Sequence, residues 1–375
     1  MKNLLCFSHL SWNFVFQRPQ HLMTRFSKHY QIFYFEEPKI GDADMYIVNI
    51  QDGVYIVELS IKRYDESANE RIRNLITGVL EEYDIDNYSS WYYTPMALQF
   101  TNHLKPDTII YDSMDELSAF RFAPPQLLQM ENELFRKADV VFTGGNSLYE
   151  AKKSKHHNIH AMPSSIDKAH FGKARMIQQD PKDQESIGFP RLGFFGVVDE
   201  RFDIELLREV STRRPDWQFV IIGPVVKISP DDLPKAPNIH YLGSKKYAEL
   251  PQYIAHWDIA MILFALNEST EFISPTKTPE YLAAGKPVIS TAIKDVVQPY
   301  GYAGLVHIID NADSFISAAE KIFADTETDQ WLKNVDHFLE DNSWDHTFRR
   351  MNALINQVKV PRENNINTKK HINHV

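Results

Sequence analysis

The stretch Ser274-Pro-Thr-Lys-Thr-Pro-Glu-Tyr-Leu-Ala-Ala-Gly-Lys-Pro-Val-Ile-Ser290 reads as a loop, a helix and a strand in succession. Thr278 fits an N-cap, Pro279 the first helical position and Gly285 the left-handed residue past the helix end. Val288-Ile289-Ser290 then continues as a strand. A helix start with free N–H groups beside Lys277 suits a phosphate. Glu280, on the first turn, can accept hydrogen bonds from a sugar diol. A diphosphate next to a ribose would satisfy all of these groups. An ordinary capped αβ unit with a surface lysine uses the same residue types, so the stretch alone leaves both readings open.

Working outward, short apolar strands alternate with helical stretches on both sides. Strands are expected at 3–8, 31–35, 54–59, 91–93, 108–112, 140–143 and 159–162, with helices at 19–28, 68–82, 96–103, 125–137 and 147–154 between them. Residues 172–188 are mostly polar and read as a linker. The alternation restarts with strands at 191–195, 217–222, 239–242, 259–263, 288–290 and 305–309. Helices are expected at 204–213, 248–256, 278–284, 312–325, 329–341 and 344–358. Continuous apolar strands separated by helices imply a parallel sheet covered on both faces. The expected fold class is therefore α/β, with two doubly wound Rossmann-like domains facing across a cleft. The divisions are 1–171, a linker 172–188, 189–341, a helix 342–360 whose apolar stripe must be buried, and a polar tail 361–375 expected to be disordered.

Composition narrows the classes. A chain of 375 residues is too long for one ordinary core. Its net charge of −10 argues against general nucleic-acid binding. No apolar run approaches the roughly 18 residues that span a bilayer. Met1–Leu10 lacks a cleavage site and reads as a first strand rather than a signal peptide. Cys6 is the single cysteine, which excludes a disulfide framework within the chain and points to a reducing cytosol.

Ligands of doubly wound sheets bind at the carboxyl ends of the strands. The loops there are Ser8–Trp12, Asp112–Glu116, Gly196–Asp203 and Leu242–Tyr247. Asp231-Asp232 is bracketed by Pro230 and Pro234 and reads as a surface turn, so no metal site is expected. The run Lys152, Lys153, Lys155, His156 and His157 reads as a solvated helix face, with contact to anionic lipid as the functional alternative.

In these segments the chain resembles the nucleotide-sugar glycosyltransferases of GT-B architecture, in particular the large retaining family that includes bacterial polysaccharide and lipid-linked sugar transferases. Met162–Phe171 is similar to the segment closing that family's first domain, and Arg191-Leu-Gly-Phe-Phe-Gly196 to the opening of its second. Asn238–Gly243, Glu249-Leu-Pro and Trp257–Leu263 resemble its middle. Glu280–Ile289 resembles the helix after its nucleotide loop, and Gln17–Leu22 the first helix of one bacterial branch.

The resemblance implies roles for individual residues. Glu280 holds the donor ribose, and Thr276 and Lys277 face the diphosphate. Gly196, Gly243, Ser244 and Tyr247 complete the donor side. The family carries a Glu eight residues before Glu280, where this chain has Phe272; Glu271, one residue away, is taken to serve. It also carries an Arg after the glycine matched by Gly196, where Val197 stands; Arg201 is the nearby cation and is assigned the diphosphate with Lys277. The acceptor side falls to His9, Trp12, Arg18, His21, Asp112 and Asp115. The implied activity is transfer from a UDP- or GDP-sugar to a saccharide or lipid-linked acceptor, retaining and needing neither metal nor cofactor. Its implied place is the cytoplasm, with peripheral contact at the inner face of the membrane. Two rival classes share the architecture, a sugar-nucleotide epimerase and a non-catalytic binding or assembly protein.

Overall fold

Leu4, Leu5, Cys6 and Phe7 are consecutive apolar residues, and a strand of this kind needs cover on both faces. A computed structural model describes residues 1–326 and 328–358 and supplies that cover. The first sheet runs in the order Lys39–Ile40, Val54–Ile61, Tyr30–Phe35, Lys2–Phe7, Tyr88–Tyr92, Ile109–Ser113, Val140–Thr143, Ile159–Ala161. These strands are parallel to their neighbours. Leu5, Phe7, Phe33 and Phe35 point to one face, where Ile72, Ile76 and Val79 of the helix Ala68–Glu82 and Leu134 and Phe135 of Leu127–Lys137 pack on them. Leu4, Cys6, Ile32 and Tyr34 point to the other. That face is covered by Leu22, Met23 and Phe26 of the helix Arg18–Phe26 and by Trp344, Met351 and Ile355 of the helix Trp344–Val358.

The second sheet has six parallel strands ordered Ile239–Gly243, Gln218–Ile222, Arg191–Phe195, Ile259–Ile262, Val288–Thr291, Val306–Ile309. The helices Ile204–Arg213, Lys277–Ala283 and Ala312–Ala324 join these strands in a single core through Leu207, Tyr281 and Phe315. The fold is thus α/β with two doubly wound halves.

Three expectations are corrected. A hairpin was missed: Met45–Gln51 pairs antiparallel with Val54–Ile61 around a turn at Asp52 (φ 54) and Gly53 (φ 78). Asp-Gly between two apolar runs is a direct hairpin signal. The linker 172–188 is not free. Gln184 is fully buried, donates to the Tyr253 carbonyl at 3.1 Å and accepts from Trp257 Nε1 at 3.0 Å. Asp180 pairs with buried Arg191 at 2.6 Å. Its polar composition marks groups bonded to the second domain, not groups in water. The boundary at 171 moves too, because Ile166 and Phe171 already belong to the second core. The chain passes between halves near Ser165, whose hydroxyl lies 2.6 Å from Thr347 Oγ1. The helix Trp344–Val358 begins where its sequence pattern predicts; residues 359 and 360 and the tail 361–375 lie outside the described residues.

Candidate active site between the two sheets

The strands Arg191–Phe195 and Gln218–Ile222 lie side by side and end in Gly196 (φ 141) and Gly223 (φ 140), a backbone open only to glycine. A Cβ on Gly223 would fall 1.8 Å from the Gly196 carbonyl oxygen. A Cβ on Gly196 would fall 2.1 Å from Lys277 Cε, so the lysine side chain runs along the bare Gly196 backbone. Its Nζ lies over the rings of Phe194 and Phe264 at 5.6 and 5.8 Å, and makes no hydrogen bond or ion pair among the described residues. Glu280, one turn further on, is 4% exposed, and its Oε2 is buried without a partner. Burial pushes the Glu280 carboxyl up and the Lys277 ammonium down; their mutual attraction opposes both shifts. An amine and a carboxyl group are therefore held dehydrated and unsatisfied at the end of the sheet.

The helix carrying them is Lys277–Ala283, preceded by Thr276, so it starts earlier than the Thr278 cap expected. Thr278 is buried; its N–H donates to the Pro275 carbonyl at 3.2 Å and its hydroxyl is left without a partner. Arg201 reaches the same place but is engaged. Its guanidinium pairs with Asp199 at 2.7 Å and lies 5.0 Å from the Phe120 ring of the first half. Asp199 was not anticipated, although its spacing of two from Arg201 is visible in the sequence. Glu271 is exposed and paired with Lys294 at 2.6 Å. Gly243 and Ser244 are exposed on the loop after the edge strand Ile239–Gly243. Tyr247 is sandwiched between Phe16 at 4.4 Å and His170 at 4.3 Å, with its hydroxyl buried and unpartnered.

On the first half, the structure separates the acceptor candidates into two groups. Four are built into the scaffold. Arg18 and Asp112 form a buried bidentate pair at 3.0 and 2.9 Å, and Arg18 also donates to the Met162 carbonyl at 2.7 Å. Trp12 packs edge-on against Tyr34, and its N–H donates to Glu36 at 2.8 Å. His21 is stacked on Trp344 at 4.7 Å. His9 and Asp115 remain at the cleft. His9 is half-buried with Nδ1 unpartnered, and burial together with the charge of Lys227 lowers it to about 4. Burial raises Asp115 to about 6, although Arg201, Arg18 and Lys277 pull it down. These couplings place Asp115 within electrostatic reach of the cations of the second half.

The halves are closed on each other. Asp295 accepts from the N–H groups of Asn146 and Ser147 at 2.8 and 2.9 Å, capping a first-half helix from the second half. Ser164 Oγ donates to the Ser274 carbonyl at 2.7 Å. The basic run at 152–157 is divided: Lys153, Lys155 and His157 are exposed, whereas Lys152 is buried against Glu131 and Glu116, and His156 meets the Ala138 carbonyl at 2.9 Å. Among the described residues no cluster of three or more His, Cys, Asp or Glu is placed to hold a metal, and no helix is long and apolar enough to cross a membrane.

Residues 190–325 match the family described as "Glycosyl transferases group 1". A putative teichuronic acid biosynthesis glycosyltransferase, TuaH of Bacillus subtilis, is 23% identical over 280 residues, 70% of each chain. Among solved structures, sucrose-phosphate synthase from Thermosynechococcus elongatus superposes with a TM-score of 0.72 at 14% identity, covering 96% of this chain and 99% of that one. Anabaena HepE, in complex with UDP and glucose, gives 0.71 at 12% identity over 95% of this chain and 100% of its own. WaaG, a glycosyltransferase involved in lipopolysaccharide biosynthesis, gives 0.63 at 13% over 94% and 99%. The family match speaks to the second half and the low identities to the fold: residues 190–325 match the group 1 glycosyl transferases, and the whole chain shares its two-halved α/β fold with these solved structures.

Proposed function

We propose that the chain transfers a sugar, with retention, from a nucleoside-diphosphate sugar to a saccharide acceptor in the synthesis of a cell-surface polysaccharide. The observation that carries this reading is the pair of unsatisfied groups at the end of the second sheet, Lys277 along bare Gly196 and the orphaned Glu280 carboxyl. A diphosphate against Lys277 and the Gly196 backbone, with ribose hydroxyls on Glu280, satisfies both. UDP is the favoured nucleotide, because HepE holds UDP on the same fold. The polysaccharide setting follows the TuaH relationship.

The bond from the anomeric carbon to the diphosphate oxygen breaks and its electron pair stays on the diphosphate. Lys277, with Arg201 behind it, meets that growing charge in a dehydrated site without calling on a metal. His9 and Asp115 orient the acceptor hydroxyl; its oxygen bonds to the same face of the anomeric carbon and its proton leaves on the diphosphate. Incubation with UDP- and GDP-sugars should release nucleoside diphosphate slowly without acceptor and faster with one. Lys277→Met should lower that release by roughly a hundredfold, as loss of one transition-state charge contact does. No release from any donor would sink this reading, and recovery of an isomerised donor would replace it with epimerisation.

A further inference from the structure

A cavity of about 390 Å³ opens in the first half, on the sheet face opposite the helix Trp344–Val358. Ser8 lies on its wall, and Ser8 is the residue before His9 at the cleft. The cavity and His9 are separated by one residue of backbone, and the acceptor is taken to run between them. We infer that the cavity receives an uncharged sugar unit of the acceptor, the one behind the unit that reacts, and that it disfavours an anionic one. This rests on the transfer reading above but concerns residues which that reading does not use.

The lining has the chemistry of a saccharide site. The Tyr64 hydroxyl donates to the Pro38 carbonyl at 2.7 Å, which fixes the ring, yet the residue is 55% exposed. It offers a fixed aromatic face at the rim, suited to the C–H face of a pyranose. Inside, the amides of Asn69 and Gln99 meet each other only at 3.5 Å, and Gln99 Nε2 lies 3.9 Å from Met96 Sδ. Both contacts are too long to be strong, so donors and acceptors remain free for hydroxyls. Two carboxylates stand on the wall. Glu36 is satisfied by the Trp12 N–H and by Lys39 at 2.9 Å. Glu37 is exposed at the rim and has no hydrogen bond or ion pair among the described residues. Among the described residues no lysine or arginine lines the cavity to balance a uronate or phosphate. An anionic ligand would meet Glu37 uncompensated, whereas a hydroxyl would donate to it.

The test uses the full chain saturated with UDP. Methyl glycosides of neutral disaccharides, matching glucuronides and an alkyl alcohol of similar volume are compared by saturation-transfer NMR and titration. Neutral disaccharides should bind at least tenfold tighter than glucuronides. Tyr64→Ala and Gln99→Leu should each weaken them about tenfold, and Glu37→Gln should narrow the gap to glucuronides. UDP affinity in the same samples reports that the protein is folded. Equal or tighter glucuronide binding, insensitivity to both Tyr64→Ala and Gln99→Leu, or displacement by the alcohol alone would each overturn the inference. Selective saccharide binding with no transfer from any donor would instead strike the transfer reading and leave the cavity's chemistry standing.

Discussion

Lys277 and Glu280 are poised by what they lack. Burial lowers the proton affinity of the ammonium and raises that of the carboxyl. A bound diphosphate shifts both the same way, since negative charge stabilises the ammonium and opposes ionisation of the carboxyl. Nucleotide binding on the alkaline side of neutrality should therefore take up protons. Calorimetry of UDP binding in buffers of different ionisation enthalpy reads this directly, and Lys277→Met should diminish the uptake. Release of protons would contradict the assignment. Glu280→Gln should weaken UDP by about 0.5–1.5 kcal/mol, the worth of a hydrogen bond to an uncharged carboxyl. Its effect on the empty protein has the opposite sign. The raised folded pKa of Glu280 means that its stabilising contribution is present in acid and lost as pH rises through the folded value. Glu280→Gln should thus raise Tm near pH 8 by roughly 2–4 °C, corresponding to about 1 kcal/mol, and leave it unchanged near pH 4. At this scale the sequence is informative about residue type and poor about partners. Lys277 and Glu280 could be singled out because one short helix carries them. Arg18 and Asp112 are 94 residues apart, and nothing in either segment announces that each neutralises the other.

The glycine pair at the ends of the strands Arg191–Phe195 and Gln218–Ile222 is the element-scale counterpart. Gly223→Ala sets a Cβ against backbone and adds an unfavourable φ, so the strands must part; a loss of about 2–4 kcal/mol is expected. Gly243→Ala has a positive φ of 68° but nothing within 4 Å, and should lose only about 1 kcal/mol. Denaturant midpoints for the two variants check the ranking, and equal losses would show that backbone conformation alone decides. Elements of the parallel sheets were legible because their central strands are apolar throughout. The strand Met45–Gln51 was not read because it lies at an edge, where apolar and polar residues alternate irregularly and five of the seven are exposed. The segment 172–188 was misread for the converse reason: its polar groups are satisfied by a neighbouring domain, which composition cannot distinguish from satisfaction by water.

At the scale of the whole molecule, the halves are held by Asp295 across to Asn146 and Ser147, and by Tyr247 between Phe16 and His170. Asp295→Ala removes the cap of a helix, typically about 1 kcal/mol, all of it charged to the closed arrangement. Small-angle scattering should show a larger radius of gyration for Asp295→Ala without nucleotide, shrinking when UDP is added; an unchanged radius would mean that other contacts suffice. Deleting the chain from Trp344 onward uncovers the face lined by Leu22, Phe26 and Tyr34, and should leave the protein insoluble or aggregated by light scattering. A cleft between two doubly wound halves could be foreseen from the alternation of elements. Which residues meet across it could not, since those contacts join segments with no sequence relation.

The return of the helix Trp344–Val358 has a further consequence for how the protein is made. The first half cannot be completed from its own segment: part of its cover is encoded after the entire second half. On the ribosome roughly 170 residues separate the two, and at about 5–20 residues per second the apolar face waits roughly ten to thirty seconds for its lid. During that interval the nascent chain presents Met23, Phe26 and Ile32 to the cell. Ribosome-bound chains stalled before Trp344 should accordingly recruit a holdase that the released full-length protein does not.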